Sequence, residues 1–183
     1  MSYKFAVAAA ALLTAVSTKP CAAQVSSADL KDFPNIASAQ WKDYKTSYPS
    51  SRLCKKDEIT LWTCHGKGKT YSLCSSHDIT TTTGYIQYRV GNGYNVTFKV
   101  PTVERVPLGV FTYVIDNANA WVSFHSGGYD YTLGAPLRAK SWIWVSTASG
   151  AKGGTGVDCR EGNQSLTLNY TIKLMTLAGI GKP

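Results

Sequence analysis

Hydrolytic chemistry would need a histidine beside a nucleophile, a metal-ligand set or a pair of facing carboxylates. The chain offers His65, His77 and His125. His125 precedes Ser126, a base and a nucleophile by type. Neighbours along a strand project to opposite faces, however, so the imidazole does not reach that hydroxyl. No G-x-S-x-G elbow and no H-E-x-x-H occurs, and His65, His77 and Asp78 lack metal-ligand spacing. Glu58, Asp78, Glu104, Asp116, Asp130, Asp158 and Glu161 fall mostly in turn-forming stretches, with no spacing that marks a glycosidase pair. The residue pattern therefore favours a non-enzymatic protein with no catalytic residue, metal or cofactor.

Two segments are suited to binding. In the run 83–90, alternation places Tyr85, Gln87 and Arg89 on one face and Ile86, Tyr88 and Val90 on the other. The first face would present a planar cationic fork with amide and phenol groups to a carboxylate or a sugar. The second segment is Ser126-Gly127-Gly128-Tyr129-Asp130-Tyr131. Its glycines permit a sharp turn, and Ser126, Tyr129 and Tyr131 set hydroxyls around it. Antiparallel pairing would bring the two segments to one face.

The elements that must hold these residues follow a secretory plan. Lys4 precedes the apolar run 5–16, which is too short for a membrane anchor, and 17–23 is rich in small residues. Cys21 and Ala23 occupy the −3 and −1 positions of a cleavage site before Gln24. Thr18, Lys19 and Pro20 put a charge and a proline where an acylated cysteine requires small and apolar residues. Intact-mass measurement of the exported chain is expected to give an N-terminus at Gln24 and no diacylglyceryl group on Cys21. A lipid adduct, or a chain starting at Cys21, contradicts this reading. The expected organisation is a leader over 1–23, a polar N-terminal extension over 24–52 with one short helix capped by Asn35, and a β-domain over 53–183.

From Glu58 onward, short β-branched and aromatic runs alternate with Gly, Asn and Asp. Strands are expected at 59–64, 69–74, 84–90, 95–100, 110–115, 120–125, 129–133, 140–146 and 166–175, with 149–156 as a glycine-rich loop. The fold class is all-β, an antiparallel sandwich or a small closed barrel. Cys54, Cys64, Cys74 and Cys159 remain after processing, and in an oxidising compartment they are expected to form disulfides. With 65–68 as a turn, Cys64 faces Lys69 and lies roughly 16 Å from Cys74, beyond the roughly 7 Å that a bridge tolerates. That favours Cys54–Cys74 and Cys64–Cys159.

The net charge is +8, with Lys4 and Lys19 of the leader supplying two of those charges. Such an excess suits solubility and attraction to anionic surface polymers. The basic residues are scattered, which argues against nucleic acid.

The stretch 64–74 (CHGKGKTYSLC), then 84–91 (GYIQYRVG) and 127–131 (GGYDY), resembles a group of small exported proteobacterial proteins. They share a C…GKK…SxC segment, GYxQYRxG and a GGYxY strand. The resemblance implies a periplasmic or secreted location. Ser126-Gly127-Gly128-Tyr129 is also similar to the SGxY loop that some periplasmic lysozyme inhibitors insert into the lysozyme cleft. The expected function is that of an exported, disulfide-bonded β-domain binding a protein, glycan or small molecule at the envelope or outside the cell. A lysozyme-type hydrolase inhibitor comes second and a cell-wall-directed enzyme third.

Overall fold

The computed structural model describes residues 50–180 apart from 78, 117–118, 137, 151–152, 161–167, 169–170, 173–174 and 177–178. The expected leader, and the extension up to residue 49 with its helix, lie outside the described residues.

Among the described residues there are nine strands: β1 (Ile59–Gly66), β2 (Lys69–Ser75), β3 (Ile86–Asn92), β4 (Asn95–Val100), β5 (Phe111–Ile115), β6 (Ala120–Ser126), β7 (Tyr129–Gly134), β8 (Trp142–Thr147) and β9 (Thr155–Asp158). They form two antiparallel sheets in chain order, β1-β2-β3-β4 and β5-β6-β7-β8-β9. The fold is an all-β sandwich, and neither sheet closes into a barrel. Within each sheet the connections are too short for a parallel crossover, so consecutive strands pair as antiparallel neighbours.

Period-2 alternation builds the core. Leu73, Ile86, Tyr88 and Val90 of the first sheet meet Phe111, Val122, Phe124, Leu133 and Ile143 of the second. Tyr88 leans on Phe124 with ring centroids 4.9 Å apart, and Phe124 stacks on Tyr131 at 5.0 Å and 5°. These rings fill the space between the sheets with large apolar area in favourable offset and edge geometries.

The ninth strand is not the one expected. Residues Leu168, Thr171, Ile172, Met175 and Thr176 are helical, and Leu168, Thr171, Ile172 and Met175 are buried at helical spacing. The Thr176 hydroxyl donates to Tyr113 Oη at 2.8 Å, tying this helix to β5. β9 comes instead from the stretch read as a glycine-rich loop, where Thr155 to Asp158 pair with β8.

The first hairpin also turns more tightly than expected. Gly66 pairs with Lys69, so the turn is Lys67-Gly68, with φ of 48° and 73°, and Cys64 faces Tyr71. Positive φ at both central residues is what a two-residue hairpin requires. Cys64 and Cys74 remain too far apart along β2 to bridge. The disulfides are Cys54–Cys74 and Cys64–Cys159, as the strand argument predicts. Two disulfides fit an oxidising compartment. No helix among the described residues is long and apolar enough to cross a membrane.

Candidate binding site

Residues 50–58 form a strap over the outer face of the first sheet. Cys54 is bonded to Cys74 of β2, and the Ser72 hydroxyl donates to Ser51 Oγ at 2.6 Å. Leu53 is buried above Gly91, where a Cβ would come within 3.1 Å of Leu53 Cδ2 and 1.9 Å of Asn95 O. Glycine at 91 lets both the strap and the β4 backbone approach.

Under the strap lies Arg89. Pairing of Ser72 and Cys74 with Arg89 and Gln87 puts these residues on one face, as alternation predicts. Gln87 and Arg89 are nevertheless buried, at 1% and 4% exposure. Arg89 Nη1 and Nη2 each donate at 2.6 Å to a different oxygen of Glu58, whose side chain is 1% exposed. Nη1 also donates to Leu53 O at 2.8 Å, and Nε donates to Gln87 Oε1 at 2.7 Å. Gln87 Nε2 donates in turn to Pro101 O at 2.7 Å. Glu58 further accepts from Tyr85 Oη and from Lys55 N, both at 2.5 Å.

The electrostatics follow from this crowding. Burial pushes the Glu58 carboxyl up, but the hydrogen bonds from Arg89, Tyr85 and the Lys55 amide hold it below its ordinary value. Burial and the Glu58 carboxylate push the Tyr85 phenol up. Glu58 reads as a turn acid in the sequence and is in fact the counterion of Arg89.

A cleft of about 710 Å³ opens between the strap and β4. Gln87 and Arg89 line it, and so does Ser126 from the second sheet. Four further cations surround it: Arg52, Lys55 and Lys56 from the strap and Lys99 from β4. Arg52 sits over the exposed Tyr94 ring, 5.5 Å from its centroid. Lys55 pairs with Glu104 and lies 5.4 Å from the Tyr85 centroid. Lys99 is directly opposite Arg89 in the β3–β4 register. Like charges in that position repel, and the pairing of Arg89 with Glu58 removes most of that penalty.

The six sequence-predicted residues therefore separate. Gln87, Arg89 and Ser126 line one cleft, while Tyr85, Tyr129 and Tyr131 do not. The two segments occupy different sheets and are not strand partners. Tyr131 packs into the ring cluster, stacking on Phe98 at 5.8 Å as well as on Phe124. Tyr129 is 47% exposed beside the turn Gly127-Gly128, whose φ values of 59° and 80° are open to glycine. His125 pairs across the strands with Asp130, Nδ1 to Oδ1 at 3.1 Å, on the face away from Ser126. The strap cations were missed because they precede β1, and nothing in their own pattern says where they fold back.

Comparison of the chain with family models, with curated proteins and with solved structures finds no match.

Proposed function

We propose that this chain is an exported, non-enzymatic, disulfide-bonded β-sandwich that binds an anionic group of an envelope or extracellular partner in the strap–β4 cleft. The charge of that cleft carries the reading: Arg52, Lys55, Lys56, Arg89 and Lys99 face it with Glu104 as the acid in its lining. Glu58, at the end of the strap, neutralises Arg89, so the exposed strap and β4 cations supply the attraction. A concave site with an excess of one sign of charge concentrates ligands of the opposite sign.

A second reading rests on the Ser126–Tyr129 hairpin tip, where a half-exposed tyrosine stands beside a two-glycine turn in the manner of an inhibitor loop. One experiment separates the two. The wild-type chain is expected to be retained on immobilised polygalacturonate and dextran sulfate, with retention falling as salt rises. The double variant Lys56→Glu/Lys99→Glu alters exposed side chains and should lose at least about tenfold in affinity with little change in melting temperature. Equal retention of the variant contradicts the cleft. Lysozyme turnover on a cell-wall suspension is the second arm. Inhibition removed by Tyr129→Ala and kept by the lysine variant would move the site to the hairpin tip.

A further inference from the structure

The outer face of the five-stranded sheet carries aromatic rings where alternation calls for polar residues. Cross-strand pairing sets Trp121, Gly134 and Trp142 in one row. The next row is Ser123, Thr132, Trp144 and Gly156, and the third is His125, Asp130 and Ser146. Two of these indoles lie down on glycine. A Cβ at Gly134 would stand 2.2 Å from Trp142 Cε2, and one at Gly154 would stand 2.3 Å from Trp144 Cε2. A Cβ at Gly156 would also meet Trp144, at 3.4 Å from Cε3. An indole in contact with two alternate glycines of the neighbouring strand lies flat along the sheet. One ring face then rests on backbone and the other faces solvent, and Trp144 is 45% exposed.

We propose that this face is a stacking platform for an uncharged sugar, specifically a β-linked pyranose whose ring substituents are equatorial. Such a ring presents a flat set of axial C–H bonds, polarised positive, to the negative face of an indole. Its equatorial hydroxyls project sideways, toward Thr132 and Ser123 in the row of Trp144 and toward Asp130 and Ser146 in the adjoining row. Ser123 and Thr132 already share a hydrogen bond at 3.1 Å, which fixes their oxygens at the ring edge.

The area excludes a large protein footprint. Of the exposed large hydrophobic residues, Trp144 and Val114 stand on this face, whereas a stable protein interface needs about 800 Å² per partner. The charge excludes a polyanion, because the ionisable groups in these rows are the His125–Asp130 pair and Asp158 opposite Trp142. The platform shares no lining residue with the cationic cleft and does not depend on it.

The test is titration of the full chain with cellotetraose and with fully N-acetylated chitotetraose, followed by tryptophan fluorescence. A saturable spectral change is expected with at least one of them. Trp144→Ala should weaken it about tenfold or more, and Trp144→Phe, which keeps a flat ring, should retain part of it. Gly154→Ala, which lifts the ring without deleting it, should weaken binding as well. Lys56→Glu/Lys99→Glu should leave it unchanged, which keeps this outcome distinct from that of the cleft. No response to either sugar up to about 10 mM, or an unaltered affinity in Trp144→Ala, would overturn the proposal. So would a dimer in sedimentation that Trp144→Ala dissolves, since the face would then belong to a second copy of the chain.

Discussion

Arg89→Ala is expected to lower the melting temperature by on the order of 10–20 °C. Glu58, at the end of the strap, has a side chain only 1% exposed, and without the guanidinium its carboxylate is a buried, unpaired charge. Removing one partner of such a pair costs about 3–5 kcal/mol. The Leu53 carbonyl and the Gln87 amide oxygen lose their donors in the same step. Glu58→Gln should cost less than Arg89→Ala. The double variant should cost less than the sum of the two, because it leaves neither charge without its partner. Denaturant melts of the three variants measure this, and strict additivity would show that the pair is not coupled.

Acidity gives the same interaction a second signature. The folded Glu58 carboxyl is held below its ordinary value of 4.5. A depressed carboxylate contributes stability that is complete above the unfolded value and lost as pH falls through the folded one. Wild-type stability should therefore decline below about pH 4.5. In Arg89→Ala the carboxyl keeps its burial but loses the Arg89 hydrogen bonds, so it is less depressed than in wild type. That variant then gains relative stability as pH falls, so its deficit against wild type should shrink on acidification. A deficit independent of pH would mean that the loss is one of packing and not of charge pairing.

The strands from β1 to β8 are legible in the sequence because half-buried strands alternate apolar and polar residues whatever their partners. The stretch 166–175 misleads for a definite reason. Leu168 and Ile172 are four apart, a separation that satisfies both period 2 and the helical period. Met175 fits the helix with both of them, and burial of Leu168, Thr171, Ile172 and Met175 settles the matter. β9 was illegible because glycine is a poor strand former. Gly154 and Gly156 are there because Trp144 lies on them, a tertiary requirement that no local pattern records. Gln87 and Arg89 were placed on the correct face, yet alternation does not say whether an outer face meets water. Here a strap stapled by Cys54 covers it, and the pairing of Cys54 with Cys74 was the one sequence feature that implied such a cover. The charges of the cleft come from residues that meet across that fold-back, so their spacing along the chain carries little information.

Loss of the Cys64–Cys159 bond, by Cys64→Ala/Cys159→Ala, is expected to destabilise the chain more than loss of Cys54–Cys74. Their sequence separations are 95 and 20 residues. Closing the longer loop restricts the unfolded chain by about 4–5 kcal/mol, against about 3 for the shorter one. Position in the fold adds to the difference. Cys64 lies in β1, the edge of the first sheet, and Cys159 follows β9, the edge of the second. The bond therefore joins the sheets along one side of the sandwich, while the chain itself joins them from β4 to β5. The backbones are already close at that seam: Arg160 N donates to His65 O at 2.9 Å, and a Cβ at Gly66 would stand 2.8 Å from Asp158 O. Without the bond these contacts must hold the two sheet edges together unaided. Cys54→Ala/Cys74→Ala should instead act locally. It frees the strap, lowers stability by the smaller amount and weakens retention on polygalacturonate by disordering Lys55 and Lys56. Guanidinium unfolding of the two double variants, with the retention assay run on each, gives both readings. Equal destabilisation, or the reverse order, would show that loop length and the edge-to-edge seam do not govern the stability of this sandwich.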